Sequence, residues 1–454
     1  MSDTDHAILK MPAGFLWGAA TAAHQNEGGN TNNQWYAWEA QPGRIVNGHR
    51  SGQATDWWNL ERAAADFDRA AELGLNSLRI SVEWSRIEPA PGVFDQSALR
   101  HYAEMIGLLR ARGLEPMVTL HHFTDPLWLT DLDAWENPQV EGYFIRFVIR
   151  VVEALGDQVT LWCTINEPFV YAHMGFLEGA FPPGASNPLR MIGVLRRMLL
   201  AHGRAYRTIH RLQNNARVGA VHNIRVFIPA NPARRADRFA AASTHQIANH
   251  SVLTAVTSGR LTPPLGVGQV VSYLMDSADF IGLNHYTTGR VAFDLRQPGR
   301  AFTRQFFDPD IDLSDITFDG QPYGEINPHS LYLALKELQP YGKPVYITEH
   351  GLPDWDDDAR PAFTAASLAA AWRAVQEGVD LRGYYHWTIV DNFEWAAGWS
   401  LKFGLIHFDP ATGIRTPKTS AAVYSRIAQA NGVPRSLLEK VAPEYAAGLT
   451  EGNK

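Results

Sequence analysis

Among its 454 residues the sequence has a single cysteine, Cys163, so no intramolecular disulfide can hold the fold. It has no stretch approaching about 18 uninterrupted apolar residues, which excludes a membrane-spanning helix. The N-terminal hexapeptide Met-Ser-Asp-Thr-Asp-His (1–6) is acidic and polar and lacks the basic and apolar regions of a secretion signal. The expectation is a soluble cytoplasmic protein with no membrane partner. Positive charge is also scarce. Forty Lys and Arg stand against 47 Asp and Glu, a net charge of −7, which argues against a nucleic-acid partner. Hydrophobic residues make up 45 % of the chain, an ordinary globular share and too much for a disordered one.

One local pattern recurs along the chain: an amphipathic helix, a glycine, then a short apolar run. Residues 61–73, Gly74 and 75–82 read this way. So do 97–112, Gly113 and 114–120; 141–155, Gly156 and 159–165; 330–341, Gly342 and 344–348; and 367–377, Gly378 and 381–387. Glycine accepts the left-handed conformation just past a helix, so each glycine is expected to end one. Three further strands are expected at 15–20, 217–222 and 279–283. Eight near-continuously apolar strands with interleaved helices predict an α/β fold, a single (β/α)8 TIM barrel domain over 1–454. A doubly wound open sheet also alternates, but it usually carries a glycine-rich nucleotide turn after its first strand. None follows residue 20 here. Helix-to-strand connections are short and strand-to-helix segments long, the longest being 286–328. In a barrel those long loops gather at the C-terminal face, where active sites lie.

Two glutamates each close an apolar run: Glu167 in Thr-Ile-Asn-Glu-Pro (164–168) and Glu349 in Tyr-Ile-Thr-Glu-His-Gly (346–351). A single acid at a loop start is readily explained as solvated. Two acids on nearly opposite strands of a barrel favour a two-carboxylate site.

The chain resembles glycoside hydrolase family 1, the retaining β-glycosidases that include β-glucosidases and β-galactosidases. Seven segments carry the resemblance in the family's order: 15–28 (Phe-Leu-Trp-Gly-Ala-Ala-Thr-Ala-Ala-His-Gln-Asn-Glu-Gly), 79–89 (Arg-Ile-Ser-Val-Glu-Trp-Ser-Arg-Ile-Glu-Pro), 119–123 (Thr-Leu-His-His-Phe), 166–168 (Asn-Glu-Pro), 282–286 (Gly-Leu-Asn-His-Tyr), 348–351 (Thr-Glu-His-Gly) and 391–395 (Asp-Asn-Phe-Glu-Trp). The resemblance implies that Glu349 is the nucleophile and Glu167 the acid/base, with Arg79, Tyr286 and Asn166 assisting. Retaining hydrolysis needs two carboxyl groups about 5–5.5 Å apart, one protonated before attack. The charge of Glu349 is expected to raise the pKa of Glu167. No metal or organic cofactor is required.

By the same resemblance Gln25, His122, Glu394 and Trp387 or Trp395 bind the sugar, with Asn284 behind them and Phe403 closing the pocket. The implied partner is a small-molecule or oligosaccharide β-glycoside. Glu394 implies an unphosphorylated one, because a carboxylate there would repel a phosphate. The sequence carries no reading of oligomeric state. It departs from the family pattern at Phe123, His285, His350 and Gly324. The first and last stand where Trp is usual, and losing an indole at 324 predicts a more open aglycone region. His121 and His122 are adjacent on a strand and point to opposite faces, so they are poor joint metal ligands, and no other His/Asp set has convincing metal spacing. Cys163 reads as a small buried residue. Two other functions fit the family. One is a glycosyltransferase with an alcohol or lipid acceptor, because Val-Glu-Trp-Ser-Arg (82–86) and the His pair resemble branches holding archaeal glycosidases and a plant galactolipid galactosyltransferase. The other is a non-catalytic glycan-binding module, which in this family lacks one of the two glutamates.

Overall fold

Eight short apolar runs become eight parallel strands: β1 Leu16–Ala20, β2 Ser77–Ser81, β3 Glu115–His121, β4 Leu161–Asn166, β5 Arg217–Asn223, β6 Phe280–His285, β7 Val345–His350 and β8 Leu381–Trp387. Each pairs with the next, and β8 pairs with β1, so the sheet closes into a TIM barrel. The computed structural model describes residues 8–315, 320 and 322–451. The N-terminal hexapeptide, and 316–319 and 321 of the long segment, lie outside the described residues. Among the described residues no helix is long and apolar enough to cross a membrane.

Nearly every strand residue is buried, as the continuous apolar runs require. Three ladders shift register just before the barrel's C-terminal rim. The shifts fall between Cys163 and Asn166 against β5, between Leu283 and Asn284 against β7, and between Ile347 and His350 against β8. A bulge re-aims the side chains that follow it. Here those side chains are Asn166, Asn284 and Glu349. Cys163 is fully buried two strand turns below the rim, the packing role its sequence context predicts.

The outer helices are α1 Leu60–Glu72, α2 Gln96–Arg110, α3 Val140–Leu155, α4 Pro188–Leu212, α5 Arg235–His245, α6 Ser251–Ser258, α7 His329–Leu338, α8 Arg360–Gln376 and α9 Thr419–Ala430. Asn59, Asp95 and Asn187 cap α1, α2 and α4 by accepting bonds from backbone N–H groups of the first turn. Gly74, Gly113, Gly342 and Gly378 adopt the expected left-handed conformation. Gly156 does not. Its φ is −61°, and its N–H still bonds Val152 O. The residue is needed there for room, because a Cβ would lie 2.6 Å from that same carbonyl oxygen.

Helix α8 begins seven residues before the expected start. Its first turns (Arg-Pro-Ala-Phe-Thr-Ala-Ala) show no polar face because the helix is buried almost all round. The long 286–328 segment is not simply a loop either. Thr288–Phe293 and Thr303–Phe306 form a three-stranded sheet with Val226–Pro229, which follows β5.

Arg360 opens α8 and is fully buried. It donates to Leu352 O at 3.0 Å and Gly404 O at 3.2 Å, reaches the carbonyls of Asp354 and Lys402, and pairs with Asp357. It thereby ties the loop after β7 to the loop after β8. Removing one partner of a buried ion pair typically costs about 3–5 kcal/mol. Arg360→Met is expected to lower the urea midpoint by that much stability at unchanged m-value, and an unaltered midpoint would show the tie to be dispensable.

Candidate active site

Arg79 is the middle residue of β2, not its end, and is fully buried. A charge there needs partners on every side. Its Nη1 pairs with Glu349 Oε1, its Nη2 donates to Asn166 Oδ1 at 2.7 Å, and its Nε donates to Thr119 Oγ1 at 3.1 Å. Burial opposes the guanidinium charge, but Glu349 lies so close that the Arg79 pKa is raised overall. The other oxygen of Glu349 accepts a bond from the Tyr286 hydroxyl at 2.6 Å. Burial, then the charge of Glu349, pushes that phenol far above its ordinary range, so it stays a donor.

Glu167 is surrounded differently. It follows β4 in a left-handed conformation (φ 44°), opening the short helix Pro168–His173. Its Oε1 accepts from two neutral amides, Asn284 Nδ2 at 2.6 Å and Asn223 Nδ2 at 3.0 Å. No cation pairs with it among the described residues. Its pKa is pushed up to about 8, chiefly by burial and only then by the charge of Glu349. The sequence expectation named the right direction but only the neighbouring charge as its cause, where burial is the larger one.

A polar chain joins the two carboxylates. Asn166 Oδ1 accepts from Arg79 and, at 3.2 Å, from Asn284 Nδ2. Thr348 Oγ1 donates to Asn284 Oδ1 at 2.7 Å and so fixes which end of that amide faces Glu167. His122 Nε2 lies 3.1 Å from Asn166 Nδ2 and 4.0 Å from Glu349 Oε1. Burial and the Arg79 charge lower the His122 pKa strongly, so the ring is neutral and accepts the amide bond. His121 turns away, toward Asp125 at 3.0 Å, as strand alternation requires.

One side of the mouth is built by Gln25, Glu394 and the indoles. Gln25 Nε2 donates to Glu394 Oε2 at 3.1 Å and to Phe393 O at 2.9 Å. Trp387 Nε1 approaches the same carboxylate oxygen at 3.4 Å. Burial lifts the Glu394 pKa to about 8. Near neutral pH this residue is therefore mostly an acid, and charge repulsion of a phosphate is weaker than the sequence suggests. Gln25 Oε1 and His122 Nδ1 are buried with no hydrogen-bond partner among the described residues. Such orphaned groups are rare in finished interiors and suit a hydroxyl-rich ligand. Trp387 lies nearly parallel to His122, with ring centres 5.9 Å apart. Trp395 packs against Trp35, Phe123 and Phe181, and both indoles are almost fully buried.

The remaining sequence candidates also meet here. Phe403 stands edge-on to Tyr286 at 5.8 Å and to Tyr323 at 5.3 Å. Tyr323 and Asn223 escaped the sequence reading. Asn223 had a usable cue, a polar residue closing an apolar strand, the same cue that marks Glu167. Tyr323 had none, because only the folding of the long segment brings its phenol toward the Glu394, Glu167 and Glu349 carboxyl groups.

The family departures are placed as follows. His285 bonds Ile224 O and Ser330 Oγ behind the barrel wall. His350 bonds the Tyr384 hydroxyl and stacks on Phe363, also behind it. Gly324 is not an opening, since a Cβ there would lie 2.3 Å from Thr287 Oγ1 and the adjacent Tyr323 supplies an aromatic ring.

Comparison with known proteins agrees with this geometry. The sequence pattern of glycosyl hydrolase family 1 matches residues 8–433. The chain is 32% identical to beta-glucosidase A of Thermotoga maritima over 94% of this chain and 99% of that one. It is 29% identical to a beta-galactosidase of Pyrococcus woesei, over 95% and 99%. A solved beta-glycosidase from Pyrococcus horikoshii superposes with a TM-score of 0.87 at 35% identity, covering 96% of this chain and 98% of its own. The chain therefore belongs to glycosyl hydrolase family 1 and is a glycoside hydrolase of the β-glucosidase type.

Proposed function

We propose that the protein is an exo-acting retaining β-glycosidase, one catalytic domain that removes terminal non-reducing β-D-glucosyl units and also accepts β-D-galactosides or β-D-fucosides. Glu349 attacks the anomeric carbon and forms the covalent glycosyl-enzyme. Glu167 first protonates the leaving oxygen and then deprotonates the water that releases the sugar. Arg79 and Tyr286 hold Glu349 in line, and Asn166 meets the sugar 2-hydroxyl. Gln25, His122 and Glu394 take the outer hydroxyls of an unphosphorylated sugar. Trp387 and Trp395 offer their faces to its C–H groups, Asn284 steadies Glu167, and Phe403 closes the pocket.

The observation that carries this reading is the unequal surroundings of the two glutamates. One is paired with a buried arginine. The other is held by neutral amides and has its pKa raised to about 8. Two carboxyls whose environments push their protonation apart divide into nucleophile and acid. Esterifying Glu349 removes its charge, which lowers the pKa of Glu167 and frees it to act as a base. The printed names of relatives, a glucosidase and a galactosidase, support the choice of sugars without separating the epimers.

Glu349→Ala is expected to abolish turnover of nitrophenyl β-glucoside, and wild-type turnover would overturn the assignment. Glu167→Gln is expected to lose about 10²–10⁴-fold in kcat/KM with an alkyl glucoside, whose leaving group needs a proton, and far less in kcat/KM with a dinitrophenyl glucoside, whose kcat falls because the base of the second step is gone. The active form of Glu167 is the protonated one. Because its pKa is raised, that form is full below the limb and is lost as pH rises through about 8. The pH profile of kcat/KM is expected to fall on the alkaline side there, and the fall is expected to vanish in Glu167→Gln assayed on the dinitrophenyl substrate.

A further inference from the structure

The turn that joins α5 to α6 is not α-helical. Residues Gln246–His250 form a π turn. On an α-helix, residues five apart point roughly 140° away from each other. A π turn closes its hydrogen bonds from i to i+5 and stacks such residues on one face. The two ends of this turn are therefore brought together: His245, the last residue of α5, and His250. Glu337 of the neighbouring α7 faces them. One donor atom from each of the three residues lies within 4.8 Å of the other two.

We propose that His245, His250 and Glu337 form a binding site for a divalent transition-metal ion, of which zinc is the type. The donor set, two imidazoles and a carboxylate, suits zinc and leaves a fourth position for water. His245 Nε2 and Glu337 Oε2 are 2.7 Å apart, yet that carboxylate oxygen has no hydrogen-bond partner among the described residues. It is close to the ring nitrogen but off the line of an N–H donor. His250 Nδ1 is engaged by the Tyr341 hydroxyl at 2.7 Å, which leaves its Nε2 as the nitrogen for an ion. A hydrogen bond on the far ring nitrogen is the usual support of a metal-bound histidine.

On His245 an ion at Nε2 puts the proton on Nδ1, and water is left to accept it, because the neighbouring Asn249 amide spends its Nδ2 on Arg225 O. The three ligand side chains are half-buried, so an ion can reach them from solvent. The donor atoms all lie within 4.8 Å of one another, and reaching the roughly 3.3 Å separation of a tetrahedral zinc site opens the 2.7 Å His245–Glu337 pair slightly and draws His250 in.

The site lies outside the barrel, and its effect is structural. It fastens the α5–α6 segment to α7. The same segment receives the bond from His222 of β5 at Ala248 O and holds Arg225 O through Asn249. It therefore backs the stretch of chain that presents Asn223 to Glu167.

The test is calorimetric titration of the full-length protein, freed of metal by chelator, with zinc chloride. The wild-type protein is expected to bind one equivalent and to gain several degrees in Tm. His250→Ala and Glu337→Gln are each expected to weaken binding by about tenfold or more and to lose the Tm gain, while turning over nitrophenyl glucoside like the metal-free wild type. Glu337→Gln preserves size and polarity, so it reports on the ligand and not on packing. Absence of one-equivalent binding, or zinc binding of equal affinity in both variants, overturns the proposal.

Discussion

A guanidinium sealed inside a barrel must be neutralised, and most of the candidate site follows from how Arg79 is satisfied. Glu349 supplies the opposite charge, Asn166 takes a second N–H and Thr119 a third. Asn166 then has a fixed orientation, which fixes Asn284 and, through it, Glu167. The two carboxylates are thereby held in one rigid polar chain while their charges are treated oppositely. One is stabilised by a cation. The other is left to burial, which favours its proton. Removing water from both is what makes the difference large, because charge interactions strengthen and solvation is lost together.

The barrel makes this possible by delivering each group from a different strand. Arg79 comes from β2, His122 from the end of β3, Asn166 and Glu167 from β4, Asn223 from β5, Asn284 from β6, Glu349 from β7 and Trp387 from β8. Strands fixed on both sides by hydrogen bonds hold such groups more rigidly than loops do. The register shifts below Asn166, Asn284 and Glu349 re-aim those side chains at the strand ends.

The loops finish the cleft. Arg360 ties together the loops after β7 and β8, and the second of these carries Glu394, Trp395 and Phe403. The long segment after β6 adds Tyr323, which stands edge-on to Phe403 and Tyr286.

All eight strands were legible from their apolar runs to within a few residues, because parallel strands covered on both faces cannot carry polar side chains. The two glutamates were legible less directly: one acid ending such a run reads as solvated, and it was the pair, together with the family motifs around them, that stood out. Other features were invisible in the linear chain. The early start of α8 was hidden because a helix buried all round has no polar face. The real role of Gly156, room beside the Val152 carbonyl, shows only in the packed backbone. The meeting of His245 with His250 and Glu337 needed a π turn and a neighbouring helix that no residue spacing announces. By itself the sequence determined the barrel and the strands that carry the two glutamates, since these rest on local burial patterns, and the family resemblance singled out the pair. Only the tertiary structure decided which glutamate is paired with a cation and which is held by neutral amides. That difference arises from contacts between residues 56 to 270 positions apart in the chain.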